Sequence, residues 1–243
     1  MIKKIISDKI SKGEKQWCVL IDPDKIVFEK ISELITLTNN SSCDFILVGG
    51  SLINHQMFDD FLKEIKNLSS KPVLIFPGDN QQISNYADGM FLLSLISGRN
   101  PELLIGQHVK SAFKIKASNL EILPCGYILV EGDNLNSAIY MSESLPIPKN
   151  KSSIAAATAL AGEQLGLQYI YLDKGSGAAE SIGKKMIAEV KKTIDIPLIV
   201  GGGINSQRDL ENVWVAGADI AVIGTSIEKD FKKIFLYNKI STK

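Results

Sequence analysis

Short apolar runs recur along this chain, and each gives way to a turn residue before helical spacing resumes. Trp17-Cys18-Val19-Leu20-Ile21 runs into Asp22-Pro23-Asp24-Lys25. Asp44-Phe45-Ile46-Leu47-Val48 runs into Gly49-Gly50-Ser51, and Pro72-Val73-Leu74-Ile75-Phe76 into Pro77-Gly78. Gly89-Met90-Phe91-Leu92-Leu93 and Glu121 to Val130 come next. Tyr169-Ile170-Tyr171-Leu172, Ile196-Pro197-Leu198-Ile199-Val200 and Ala218-Asp219-Ile220-Ala221-Val222-Ile223 complete the set. Apolar strands without alternation mark a parallel sheet buried on both faces. Eight strands in 243 residues, nearly all followed by a helix, match the ~250 residues of an α/β barrel of the (β/α)8, or TIM, type. An open doubly wound sheet is the main alternative, but eight units of this length favour closure.

Helical spacing is expected over 27–38, 56–68, 101–116, 180–194, 206–216 and 226–237. Ser152-Ser153 reads as the cap of a further helix through Ala155-Ala156-Ala157, Leu160 and Leu165. Only the polar stretch Asp79 to Asp88 separates the third strand from the fourth, so the third helix is short or replaced by a loop. Pro124 and Gly126 predict a bend or bulge in the fifth strand. Glu131 to Lys151, with Pro146 and Pro148, is a crossover long enough to carry function.

Lys+Arg and Asp+Glu both number 27. With no net charge there is no bulk field for nucleic acid or an anionic membrane. Cys18, Cys43 and Cys125 are widely spaced among apolar neighbours, as expected of reduced core thiols in a cytoplasmic protein. His55 and His108 are the only histidines, so a metal would be a hard ion on oxygen ligands. The apolar core of the first nine residues is too short for a signal peptide, and no run approaches the ~20 residues of a membrane span.

Chemistry gathers at the strand ends, where parallel barrels keep it. Asp173-Lys174-Gly175-Ser176-Gly177 closes strand six, Gly201-Gly202-Gly203 strand seven, and Gly224-Thr225-Ser226 strand eight. Glycine turns with bare N–H groups, each opening a helix, make anion sites; many such turns are glycine for steric reasons alone. Asp22-Pro23-Asp24 equally fits a Mg²⁺ site or an Asp-Pro turn with Asp24 as a cap. Ser51 fits a cap, a metal contact or a phosphate contact. Tyr171 fits a ligand contact or a core aromatic. Lys12, Lys15, Lys25 and Lys63 read as solvated surface.

Five of these stretches occur in one order: Ile21-Asp22-Pro23-Asp24-Lys25, Val48-Gly49-Gly50-Ser51, Tyr171 through Ala178, Val200 through Ile204, and Gly224-Thr225. Together they resemble the geranylgeranylglyceryl phosphate and heptaprenylglyceryl phosphate synthase family over about residues 15–234. The resemblance implies residues 1–243 as a single barrel domain and a prenyltransferase joining sn-glycerol 1-phosphate to an all-trans polyprenyl diphosphate. The product is an ether-lipid precursor, and diphosphate is released. It implies Mg²⁺ at Asp22 and Ser51. It implies glycerol 1-phosphate at Tyr171, Leu172, Asp173, Lys174, Gly175, Ser176, Gly177, Gly202, Gly203, Gly224 and Thr225. It also implies a prenyl groove where the third helix is missing, a homo-oligomer (dimer or hexamer), and transient membrane-surface contact for the lipid product.

The heptaprenyl branch resembles Lys-Leu-Asp-Pro-Asn at strand one. Leu20-Ile21-Asp22-Pro23-Asp24 stands closer to the other branch and implies a geranylgeranyl donor. Asp173 is expected to accept or orient the glycerol proton, and Tyr171, the second catalytic candidate, to hydrogen-bond the glycerol; the family often has the longer Glu at the position of Asp173. The rival readings are another phosphate-binding barrel, such as an isomerase or lyase, and a non-catalytic sensor of a phosphorylated metabolite.

Overall fold

The computed structural model describes residues 1–53, 58–132 and 136–238. Eight parallel strands close into a barrel in chain order: β1 Gln16–Ile21, β2 Phe45–Val48, β3 Val73–Ile75, β4 Gly89–Leu95, β5 Glu121–Leu129, β6 Tyr169–Asp173, β7 Leu198–Gly201 and β8 Ile220–Ile223. Gln16 pairs with Ile220 to seal it. Around it lie α2 Ile31–Asn39, α3 Phe58–Leu68, α4 Gln107–Ala117, α5 Ser137–Ser142, α6 Ser152–Gln164, α7 Lys184–Thr193, α8 Gln207–Val215 and α9 Thr225–Lys229; α1 Ile2–Ser11 precedes β1. No helix stands between β3 and β4, as the short polar stretch predicts. The predicted start of α3 at Gln56, like His55, falls outside the described residues.

Strand side chains alternate between two cores. Cys18, Leu47, Leu74, Leu123, Tyr169 and Val222 fill the lumen. Val19, Ile46, Val73, Leu172, Val200 and Ala221 face the helices. All three cysteines are buried free thiols, and burial pushes Cys43 up to about 12. They are inert core residues. Among the described residues no helix is long and apolar enough to cross a membrane.

The structure corrects several expectations. Helix α1 is absent from the sequence reading, because Ile2 and Ile6 are its only two buried positions. Those two side chains stopper the lumen floor, and the Glu121 carboxylate accepts from the backbone N–H groups of Ile2 and Lys3. Strand β5 carries no bulge, since it pairs with β4 one-to-one from Gly89↔Glu121 to Leu95↔Tyr127. The Pro124 carbonyl accepts from Gln168 N–H just before β6 begins. The missing proline N–H points to that same side, beyond the end of the β6 ladder.

Helix α7 starts at Lys184 rather than about Glu180. The carbonyls of Ala178 and Ala179 are taken by the Asn205 side chain and that of Ser181 by Lys174, which holds this stretch out of the helix. The helix expected at 226–237 divides at Asp230, whose extended backbone and carboxylate cap a separate 3₁₀ segment, Phe231–Leu236. The helix expected from Pro101 opens as a π turn, Glu102–Gly106. Ser152 is a buried first residue of α6 and not its cap; Lys151 holds that position without a side-chain bond. The long crossover carries α5.

Candidate active site

A cavity of about 560 Å³ opens at the carboxyl ends of the strands. Of the residues proposed from sequence, Asp22, Ser51, Tyr171, Asp173, Lys174, Gly175, Ser176, Gly177, Gly202, Gly203, Gly224 and Thr225 all line it. Leu172 does not; its side chain belongs to the layer between barrel and helices. The cavity then runs along β4 past Met90, Leu92, Leu93 and Leu95 to Leu103 and Met141. One end is polar and glycine-lined, and the other is mainly apolar, with Gln107, His108 and Ser111 of α4 at its border.

The three glycine loops interlock. Ser176 Oγ lies 3.1 Å from Thr225 Oγ1, which also accepts from Gly177 N–H at 3.1 Å. Gly202 and Gly203 have φ of +80° and +69°, a left-handed backbone that a β-carbon resists. A Cβ on Gly202 would meet Gly175 O at 2.7 Å, and one on Gly203 would meet Glu180 O at 2.0 Å. Backbone therefore packs directly on backbone, and the N–H groups of Gly175 and Gly177 are already taken, by Asp173 Oδ1 and Thr225 Oγ1. Residues 178–183 intervene before α7, so the turn after β6 does not open that helix and its donors belong to the loop itself.

Asp173 is buried at the end of β6. Its Oδ1 accepts from Gly175 N–H at 2.9 Å, and its Oδ2 accepts from the Tyr127 hydroxyl. Burial raises its pKa, and these two hydrogen bonds work against that rise without cancelling it. Tyr127, on β5, is pushed well up by burial and by the charge of Asp173. Phe76, Tyr127 and Tyr171 form an aromatic cluster with ring centroids 5.1 to 6.0 Å apart. The Tyr171 hydroxyl fits against Gly201, where a Cβ would stand 1.9 Å from it. Tyr171 is thus a core aromatic whose ring also lines the cavity.

On the opposite wall the Asp22 carboxylate lies against Gly50, 3.0 to 3.2 Å from the position of an added Cβ. Lys25 is exposed, as expected, but its charge is paired rather than merely solvated. Its ammonium lies 2.9 Å from Asp22 and 3.6 Å from Glu228, and it donates to Ser176 Oγ at 3.2 Å. Burial works against that charge, but the bond to Asp22 and the charge of Glu228 outweigh it and raise the Lys25 pKa. Glu228 is itself raised by burial, against the pull of Lys25. Lys15 is likewise engaged, donating to Ala218 O at 2.8 Å. Gln82, from the helix-free stretch, donates to Gly50 O at 3.0 Å and accepts from Gly78 N–H at 3.1 Å. Asn136, from the long crossover, donates to Lys174 O at 3.2 Å.

Tyr127, Lys25, Glu228, Gln82 and Asn136 escaped the sequence reading of the site. The length of the crossover pointed toward Asn136, and Lys25 and Gln82 lie within stretches singled out for other reasons, the motif at residues 21–25 and the helix-free stretch.

The model of the PcrB family matches residues 9–241. The geranylgeranylglyceryl phosphate synthase of Spirosoma linguale is 46% identical over 226 residues, 93% of this chain and 91% of that protein. The protein of the same name from Pyrococcus furiosus is 42% identical over 228 residues, covering 93% and 90%. The crystal structure of (S)-3-O-geranylgeranylglyceryl phosphate synthase from Thermoplasma acidophilum, in complex with its substrate sn-glycerol-1-phosphate, superposes with a TM-score of 0.90 at 30% identity, covering 96% of this chain and 94% of that one.

Proposed function

Because this chain belongs to the PcrB family, we propose that it is a prenyltransferase that alkylates the 3-hydroxyl of sn-glycerol 1-phosphate with geranylgeranyl diphosphate. The observation that carries this reading is the two-ended cavity: interlocked glycine loops at one end, an apolar run along β4 at the other, and Asp173 at the glycine-lined end. An isomerase or lyase acting on a small phosphate has no use for the apolar end. Two relatives that carry the synthase name match this chain at 42% and 46% identity over nearly its whole length.

The phosphate is held by loop backbone at Ser176, Gly202, Gly203, Gly224 and Thr225, which needs no bulk positive charge; Gly175 and Gly177, whose N–H groups donate to Asp173 and Thr225, shape the turn that receives it. Lys174 supports the loop from behind, through Ser181 O at 3.3 Å, and Leu172, which does not line the cavity, takes no part. With the phosphate fixed, the glycerol hydroxyl comes to Asp173. The raised carboxylate pKa suits it to accept the proton as the C–O bond forms. Tyr127 holds one carboxylate oxygen, leaving the orientation of the group fixed. The aromatic cluster and the apolar wall keep water from the allylic carbon.

Asp22 and Ser51 are the residues that would hold Mg²⁺. Carboxylate and hydroxyl oxygens suit that ion, and the bare Gly50 leaves the Asp22 carboxylate facing the cavity. Among the described residues no cluster of three or more His, Cys, Asp or Glu could hold a metal alone. An ion held there would complete its shell with water and substrate oxygens. When bound it would supply charge stabilisation for the departing diphosphate. The reading also carries a homo-oligomer formed by one barrel domain, measurable by light scattering, and transient contact of the lipid product with a membrane surface.

The test is purified protein with radiolabelled sn-glycerol 1-phosphate, Mg²⁺ and a series of prenyl diphosphates, followed by organic extraction. Label passing into the organic phase with the geranylgeranyl donor is the expected result. Label that stays aqueous with every donor overturns the function, and transfer with the heptaprenyl donor alone overturns the chain length.

A further inference from the structure

The last described residues, Tyr237 and Asn238, lie against the back of the glycine loops. Tyr237 is fully buried although only six residues of the chain follow it. Its ring packs on Trp17, centroids 5.7 Å apart. Its carbonyl accepts from Ser42 Oγ at 3.0 Å, and that hydroxyl in turn accepts from Trp17 Nε1 at 3.1 Å. The next residue is pinned as well. Asn238 N–H donates to Gln207 Oε1 at 2.9 Å, and Gln207 Nε2 donates back to Asn238 O at 3.0 Å.

So anchored, the Tyr237 hydroxyl reaches Ser226 Oγ at 2.7 Å and donates to Ile204 O at 3.5 Å. Ser226 follows Thr225 directly, and Ile204 follows Gly203. The loop after β6 is already locked to the other two, through Thr225 on one side and the Gly202 contact on the other. The loops after β7 and β8 share a ladder only as far as Gly201↔Val222. Past that pair, the phenol spans them.

We infer that Tyr237 is a positioning residue, whose hydroxyl fixes the spacing between the Gly202-Gly203 and Gly224-Thr225 loops and thereby tightens their grip on a phosphate. The inference rests on the reading of these loops as the phosphate site. Tyr237 touches no substrate and acts through Ser226 and Ile204.

Inorganic phosphate and sn-glycerol 1-phosphate are titrated calorimetrically into the full chain, as wild type, Tyr237→Phe, Ser226→Ala and the double variant. A single neutral hydrogen bond transmitted to binding corresponds to about a fivefold to tenfold change. Each single variant should weaken Kd by that factor, and the double variant should weaken it no further. The KM for glycerol 1-phosphate should rise in step, with kcat at saturation close to wild type. A purely structural phenol would lower Tm and leave Kd within twofold of wild type, which overturns the inference. So would additive losses in the double variant. Should Tyr237→Phe fail to fold, Ser226→Ala alone carries the same Kd criterion. A wild type that binds neither ligand overturns the phosphate reading itself, whereas wild-type binding with unaltered variants overturns this inference alone.

Discussion

Tyr127 donates its phenol proton to the Asp173 carboxylate across adjacent strands. In the ladder Tyr127 stands opposite Tyr171, and Leu129 stands opposite Asp173. The bond therefore runs diagonally, from a lumen-facing ring up to the strand end. It fixes a buried carboxylate whose other oxygen already holds the Gly175 turn.

Asp173→Asn separates chemistry from architecture. The Asn carbonyl can still accept from Gly175 N–H, and its amide can donate to the Tyr127 oxygen, so the turn survives. Loss of a general base lowers rates by ~10²–10⁴. A kcat drop in that range, with nearly unchanged affinity for glycerol 1-phosphate, is expected. Near-normal kcat with a large fall in Tm would make Asp173 a turn cap only.

The same variant has a signature in pH. Burial raises the Asp173 pKa in the folded state, so ionisation opposes folding. The wild type loses stability as pH rises from the unfolded carboxylate value through the folded one. Asn cannot ionise and escapes that loss. Denaturant titrations should show the stability of Asp173→Asn relative to wild type improving across that window. A difference independent of pH there contradicts the assignment.

Tyr127→Phe removes a bond that holds the Asp173 pKa down. The carboxylate should then ionise at higher pH, and the acid limb of the kcat profile should move upward with it. An unmoved acid limb would place the base elsewhere.

Metal dependence is asymmetric between neighbours. Chelation should abolish turnover and Mg²⁺ should restore it. Asp22→Asn should weaken Mn²⁺ binding, followed by paramagnetic resonance, far more than Asp24→Asn does. Only Asp22 lies against the bare Gly50 at the cavity wall. Equal and small effects would remove Asp22 from the metal site.

Gly203→Ala tests the interlocked loops. A β-carbon in left-handed backbone costs about 1–2 kcal/mol, and here it would also meet Glu180 O at 2.0 Å. The variant should melt lower and show a strongly raised KM for glycerol 1-phosphate. Gly13, also at positive φ but with nothing within 4 Å of an added Cβ, is the control and should show only the lower melting temperature.

What the sequence made legible was set by position along each strand. Asp22, Asp173 and the three glycine loops each interrupt an apolar run, so composition alone separates them from the barrel wall. Tyr127 lies inside β5 among apolar residues, where an inward phenol looks like any core aromatic. Lys25 and Glu228 are some two hundred residues apart, and each alone reads as a solvated charge. Their pairing exists only once β8 closes on β1. The Gln82 bonds to Gly50 and Gly78 are hidden for the same reason, inside a stretch read only as replacing the third helix.

The stopper at the barrel floor has a consequence for the birth of the chain. Helix α1 has ten residues, and a helix of that length is marginal in water by itself. The carboxylate that caps it is Glu121, separated from Ile2 by 119 positions, and the wall it plugs is incomplete until β8 has been synthesised. Helix α1 therefore cannot dock before the barrel wall has closed, and its docking belongs among the last events of folding.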